Sequence, residues 1–113
     1  MISRPVEPSA DSASPTASQP GFQLAFKPSA LKEWRALDSS LKAQFKTVLL
    51  RRLEQPRLPA AALHGMSDCY KIKLRSSGYR LVYQVEDDIV TVTVVAVGKR
   101  EGNAVYRKAG ERL

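Results

Sequence analysis

Residues 69–83, CYKIKLRSSGYRLVY, alternate almost without a break. Tyr70, Ile72 and Leu74, then Tyr79, Leu81 and Tyr83, make up an apolar parity, and Lys71, Lys73 and Arg75, then Arg80, a cationic one. A period of two marks strands with one buried face. It predicts strands at about 69–75 and 78–86, turned through the SSG between them. FQLAF, 22–26, alternates in the same way and predicts a further strand. Asp87 and Asp88 make the next turn, and IVTVTVVAV, 89–97, is mostly β-branched and apolar on nearly both faces. That segment reads as a well-covered strand closed by Gly98.

Between the first strand and the hairpin the period changes. Pro28 suits the first turn of a helix, and Leu31, Trp34 and Leu37 follow at helical spacing. DSS, 38–40, breaks that stripe and offers an N-cap. A longer helix follows, with Leu41, Phe45, Val48, Leu49 and Leu53 on one face and Lys42, Lys46, Arg51 and Arg52 on the other. Pro56 and Pro59 end it, a loop runs to about Met66, and KREGNAVYRKAGERL reads as a basic segment leading into a short C-terminal helix. The order β-α-α-β-β-β-α predicts an α+β domain over 21–113. Its helical hairpin packs on one face of a small, mostly antiparallel four-stranded sheet. Residues 1–20, rich in Pro, Ser and Ala, hold too little apolar surface to offset their ordering entropy and read as a disordered arm.

Composition narrows the class. With 113 residues, 43% of them hydrophobic, the chain has room for one domain and one core. No apolar run approaches the roughly 20 residues that cross a bilayer, and the N-terminus lacks the basic-then-apolar design of a secretory signal. Cys69 is the only cysteine, so no internal disulfide can close, and a reducing compartment, the cytoplasm, is the expected location. Net charge is +7, and the first twenty residues hold only Arg4 against Glu7 and Asp11, so the excess belongs to the domain. Such a domain attracts polyanions, nucleic acid first among them.

The register that buries Tyr70, Ile72 and Leu74 with Tyr79, Leu81 and Tyr83 places Lys71, Lys73, Arg75 and Arg80 together on the open face. GKRE adds Lys99 and Arg100 near the rim, and Tyr106 follows on the last helix. Two like charges about 4 Å apart repel by about 1 kcal/mol in water and about 4 at an effective dielectric of 20. Asp68 and Glu101 flank the set but no acid lies within it, so the face is prepared for a multiply charged anion. Cleavage of a phosphodiester by the neighbouring ribose 2′-hydroxyl fits it. A lysine among like charges is a base of lowered pKa, and arginines hold the phosphate bidentately. Such a site is slow unless something else holds the RNA in attack geometry. His64, the only histidine, reads as incidental, and the scattered acids, one Cys and one His predict no metal and no cofactor.

ALKEWRAL, LHGMSDCYKIKLRSSGYRLVYQVEDD and VGKRE with the later VY resemble the RelE family of bacterial toxins over about residues 22–113. The resemblance implies a ribosome-dependent mRNA endonuclease that enters the A site and cleaves the codon there by 2′-hydroxyl attack, without metal. It carries Lys73 over as general base and Lys71 as transition-state stabiliser. Arg80 becomes the phosphate-binding residue, Arg100 the general acid, and Tyr106 the residue that stacks on the nucleotide. Arg75, Lys99, Arg51 and Arg52 are the additional RNA-binding candidates. Gly102 departs from a position often basic in the family. A RelB-like antitoxin is the implied partner, covering the basic face, with operator DNA contacted only through it. Displacement of the C-terminal helix, which carries Tyr106, is an implied off-switch. Two alternatives stay open: a ParE-type gyrase poison on the same scaffold, which does not need this constellation, and a ribosome-binding module without chemistry.

Overall fold

The structure is a computed structural model and describes residues 21–99, 101 and 103–113; the expected arm at 1–20, Arg100 and Gly102 lie outside the described residues. Four strands, β1 (Gln23–Phe26), β2 (Cys69–Leu74), β3 (Tyr79–Glu86) and β4 (Thr91–Lys99), form one sheet in the order β1-β4-β3-β2. β1 pairs in parallel with β4, and β3 pairs antiparallel with both β2 and β4. Helices α1 (Pro28–Arg35) and α2 (Ser39–Glu54) follow β1, and α3 (Ala104–Arg112) ends the chain. The fold is the expected α+β architecture, its mixed sheet mostly antiparallel.

Local chemistry accounts for the elements. Pro28 opens α1, and the Asp38 carboxylate caps α2 by accepting from the Leu41 amide at 2.9 Å. On one face of the sheet, Ala30, Leu37, Leu41, Phe45 and Leu49 of the helical hairpin pack on Tyr70, Ile72, Leu74, Leu81, Tyr83, Val92 and Val94. The opposite face is not open as expected. Val105 and Ala109 of α3 cover Cys69, Val82, Val95 and Ala96 in a second, smaller core, with Leu63, Met66 and Tyr106 at its margin.

Two departures in β4 have local causes. The strand starts at Thr91 rather than 89, because Asp87–Ile89 winds into a 3₁₀ turn and Val90 adopts φ 48°. Ile89 and Val90 are consequently 57% and 46% exposed in spite of their β-branched side chains. Further along, Tyr83 pairs with Val94 and Val82 with Ala96, which leaves Val95 as an extra residue in the ladder. Such a bulge reverses the parity beyond it. Val92 and Val94 face the hairpin before it, Val97 faces the hairpin after it, and Ala96 and Gly98 turn toward α3.

Because β1 is short, it covers β4 only as far as Val94, whose carbonyl accepts from the Lys27 amide. Side chains satisfy the next stretch of that edge. The Val97 amide donates to Glu33 Oε1 of α1 at 3.0 Å, and the Arg112 guanidinium of α3 donates to the Val95 carbonyl at 2.8 Å. Glu33 and Arg112 close the circuit bidentately, with both N–H···O distances 2.9 Å, and Lys108 adds a 3.3 Å contact. One carboxylate thus joins α1, β4 and α3.

Burial alone raises a carboxyl's pKa. The hydrogen bonds from Arg112, Val97 and Lys108 outweigh that effect and hold Glu33 below the ordinary carboxylate range. The folded state therefore takes up this proton less readily than the unfolded chain. The associated stability is present above the ordinary carboxyl pKa of about 4.3 and is lost as pH falls through the lowered value. Urea unfolding across the acid range should show a shallower loss of stability in Glu33→Gln than in wild type; parallel curves would contradict the assignment.

Candidate nucleic-acid interface

The lysine strand β2 is the sheet's edge, and its register against β3 sets the site. Lys73 lies directly opposite Arg80 and Lys71 opposite Val82, while Tyr70, Ile72 and Leu74 oppose Tyr83, Leu81 and Tyr79. Directly opposed residues share a face, so Lys71, Lys73 and Arg80 project to the side that α3 covers in part. Arg52, Lys71, Lys73 and Arg75, with Leu58, Ala60 and Ala61, line a groove of about 280 Å³ along this edge. Four cations and no carboxylate line it. The nearby acids are engaged elsewhere: Arg57 bridges Asp68 at 3.0 Å and Asp87 at 2.6 Å, and donates to the Tyr70 hydroxyl.

Arg80 occupies the expected face but not the expected exposure. It is 9% exposed, and its Nε is buried without a hydrogen-bond partner among the described residues. Coverage by α3 accounts for this, because Gly98, paired with Arg80 across the ladder, sits under Val105. A Cβ at Gly98 would lie 3.2 Å from Val105 Cγ2, so the missing side chain lets the helix approach closely. A buried donor with nothing to donate to is costly, and a bound anion would relieve it.

The remaining candidates divide. Arg52 lines the groove, yet its Nη1 donates to the Lys71 carbonyl at 3.2 Å and the Tyr83 hydroxyl at 2.9 Å. It therefore fixes the lysine strand to α2 as well as adding charge. Arg75 is exposed at the groove's end, just past β2. Tyr106 stands half-buried on α3, on the lysine face. Arg51 is exposed on α2 and is not among the groove's lining residues. Lys99 reaches the rim, but its ammonium lies 5.9 Å from the centre of the Tyr79 ring. Tyr79 packs on the hairpin core, so the Val95 bulge has carried Lys99 away from the lysine face. Arg100 lies outside the described residues.

His64 is exposed in a turn. Cys69 shares the lysine face, but burial foremost, then Asp68, pushes its thiol up to about 11, which leaves it protonated and poorly nucleophilic at neutral pH. No group of three or more His, Cys, Asp or Glu among the described residues is placed to hold a metal ion, and no described helix is long and apolar enough to cross a membrane. Sequence reasoning missed Glu33, Arg112 and Gly98. The first two looked like ordinary polar positions on short helices, whereas the small pair Ala96 and Gly98 in a β-branched strand was a usable sign of close helix approach.

Residues 24–104 match the family described as ParE toxin of type II toxin-antitoxin system, parDE, which places the chain among the toxins of such systems. Within that class it belongs to the RelE family. It is 58% identical to the mRNA interferase toxin RelE of Escherichia coli K12 over 92 residues, covering 81% of this chain and 97% of that protein. A double arginine-to-alanine variant of E. coli toxin RelE in the free state superimposes with a TM-score of 0.77 at 55% identity, over 82% of this chain and 98% of that one. The RelE chain of the intact E. coli RelBE toxin–antitoxin complex does so with a TM-score of 0.69 at 59% identity, over 71% and 98%.

Arg80 should contribute nothing to stability. Arg80→Met removes a buried, unpaired donor while keeping the apolar stem, so urea unfolding should give a stability equal to wild type or higher by up to about 1 kcal/mol. A loss above about 2 kcal/mol, the size expected on breaking a buried polar network, would show that the guanidinium has a structural partner.

Proposed function

We infer that the chain is the toxin of a type II toxin–antitoxin pair and an endoribonuclease that cleaves mRNA in the ribosomal A site. The RNA's own 2′-hydroxyl acts as nucleophile and no metal takes part. The observation that carries this reading is the groove lined by Lys71, Lys73, Arg75 and Arg52, beside an Arg80 whose buried Nε has no partner among the described residues. The 58% identity to an mRNA interferase supports it.

In the reaction, the 2′-oxygen forms a bond to phosphorus and the bond to the 5′-oxygen breaks, leaving a cyclic phosphate and a 5′-hydroxyl. Lys73 takes the 2′-hydroxyl proton as general base. Lys71 and Arg80 stabilise the charge that develops on the phosphoryl oxygens, and Arg100 protonates the departing 5′-oxygen. Tyr106 stacks on the nucleotide and orients it. Arg75 and Arg52 hold the neighbouring backbone. The ribosome presents the codon in line for attack, the positioning that the cations alone do not supply. The working compartment is the cytoplasm.

The partner is a RelB-like antitoxin, as in the E. coli RelBE complex, with operator DNA reached only through it. The match to a ParE family description keeps gyrase poisoning as the competing reading, and the two make opposite predictions. Primer extension on programmed ribosomes should reveal cuts within A-site codons. Lys73→Ala should slow them by about 10²–10⁴-fold, the range expected for losing a general base. DNA damage with intact message would establish the ParE reading instead, and stalled ribosomes with intact message a binding module.

A further inference from the structure

Helix α3 carries Tyr106, but little in its own sequence holds it in place. It has nine residues, short of the roughly 12–15 at which isolated helices become even marginal in water. Its N-cap Asn103 has φ 63° and makes no side-chain capping bond. Gly110 lies in its last turn, a residue that weakens helices by about 1 kcal/mol relative to Ala. Its buried apolar anchors are Val105 and the small Ala109. Two anchors four residues apart fix where the helix touches the sheet, but they leave its rotation and tilt weakly defined.

The far end supplies what the anchors lack. Arg112 meets Glu33 bidentately at 2.9 Å and the Val95 carbonyl at 2.8 Å, and Glu33 in turn takes the Val97 amide at 3.0 Å. Both side chains are mostly shielded, 22% and 19% exposed. A planar guanidinium gripped by a carboxylate and a backbone carbonyl is geometrically exacting. Both backbone groups belong to the part of β4 that ends at Gly98, opposite Arg80. The clamp therefore ties the orientation of α3 to the strand that borders the phosphate-facing arginine.

We propose that Glu33 and Arg112 are positioning residues that hold α3 so that Tyr106 meets the nucleotide over the Lys71, Lys73 and Arg80 cluster. The inference rests on the nuclease reading above. Neither residue touches RNA; each acts through Tyr106. The clamp therefore governs the rate on bound message and leaves its capture, which the groove cations perform, nearly unchanged.

The test is a double-mutant cycle on programmed ribosomes with the full chain: wild type, Arg112→Ala, Tyr106→Ala and the double variant. Arg112→Ala should lower the cleavage rate at saturating protein by about 10–100-fold, the scale of a misplacement near 1 Å, with the half-saturating concentration unchanged within about twofold. Arg112→Lys should recover only part of the rate, because an ammonium cannot reproduce the fork. In the Tyr106→Ala background, Arg112→Ala should cost nothing further. Additive losses, or a full rate in Arg112→Ala, overturn the proposal. Amide exchange separates this failure from failure of the nuclease reading. Arg112→Ala should speed exchange across 105–112 and leave β3 protected, whether or not wild type cuts message. Unchanged exchange in α3 overturns the clamp by itself, whereas an inactive wild type with a loosened α3 in the variant defeats only the nuclease reading.

Discussion

The burial of Tyr70, Ile72 and Leu74 against the helical hairpin is the constraint on which the site depends. Those three side chains must face the larger core, so Lys71 and Lys73 must face away from it, and pairing then sets Lys73 opposite Arg80. A slip of one residue would put cations into the core and tyrosines into the groove. The apolar register thus forces together charges that gain nothing from one another. Arg52 strengthens the constraint from outside by holding the Lys71 carbonyl of the edge strand, where no further strand among the described residues supplies a donor.

A fold organised this way puts its larger core on one face of the sheet and its cationic groove along the other. Most of the apolar burial lies in the hairpin-side core, with a smaller core under α3 and polar contacts outside the groove. Arg57 ties Asp68 to Asp87 and keeps both carboxylates off the groove. Glu33 and Arg112 meet at the opposite edge of the sheet from the lysines. Beside the groove lie four lining cations with no carboxylate among the lining residues, and a buried guanidinium nitrogen with no acceptor among the described residues. Native folds tolerate such a liability where a ligand relieves it. A groove lined by cations alone suits a multiply charged anion.

Much of this was legible in the chain. Alternation in CYKIKLRSSGYRLVY located the hairpin and the face of its lysines, and Pro28 and Asp38 marked both N-terminal helices where the structure has them. What escaped was set by contacts distant in sequence. The Val95 bulge leaves no mark in a run of valines, so the side taken by Lys99 could not be read. Arg80 looked solvent-exposed because its ladder partner Gly98 lies under Val105, on a helix distant in sequence. Ile89 and Val90 looked like strand because their side chains favour it, whereas the Asp87–Ile89 turn overrode that preference. Glu33 looked like one more polar position in ALKEWRAL, and only the brevity of β1 gives it a backbone amide to accept from.

We propose that the cations of adjoining strands converge on one phosphorus. The most direct measurement is a structure of the chain on a ribosome programmed with mRNA whose A-site riboses carry 2′-O-methyl groups, which block attack and trap the bound state. The scissile phosphate should lie within hydrogen-bond reach of Arg80 Nε, with the Lys71 and Lys73 ammonium groups on the same phosphoryl oxygens or the adjoining ribose. A phosphate bound elsewhere, with Arg80 Nε still unpaired beneath α3, would contradict it.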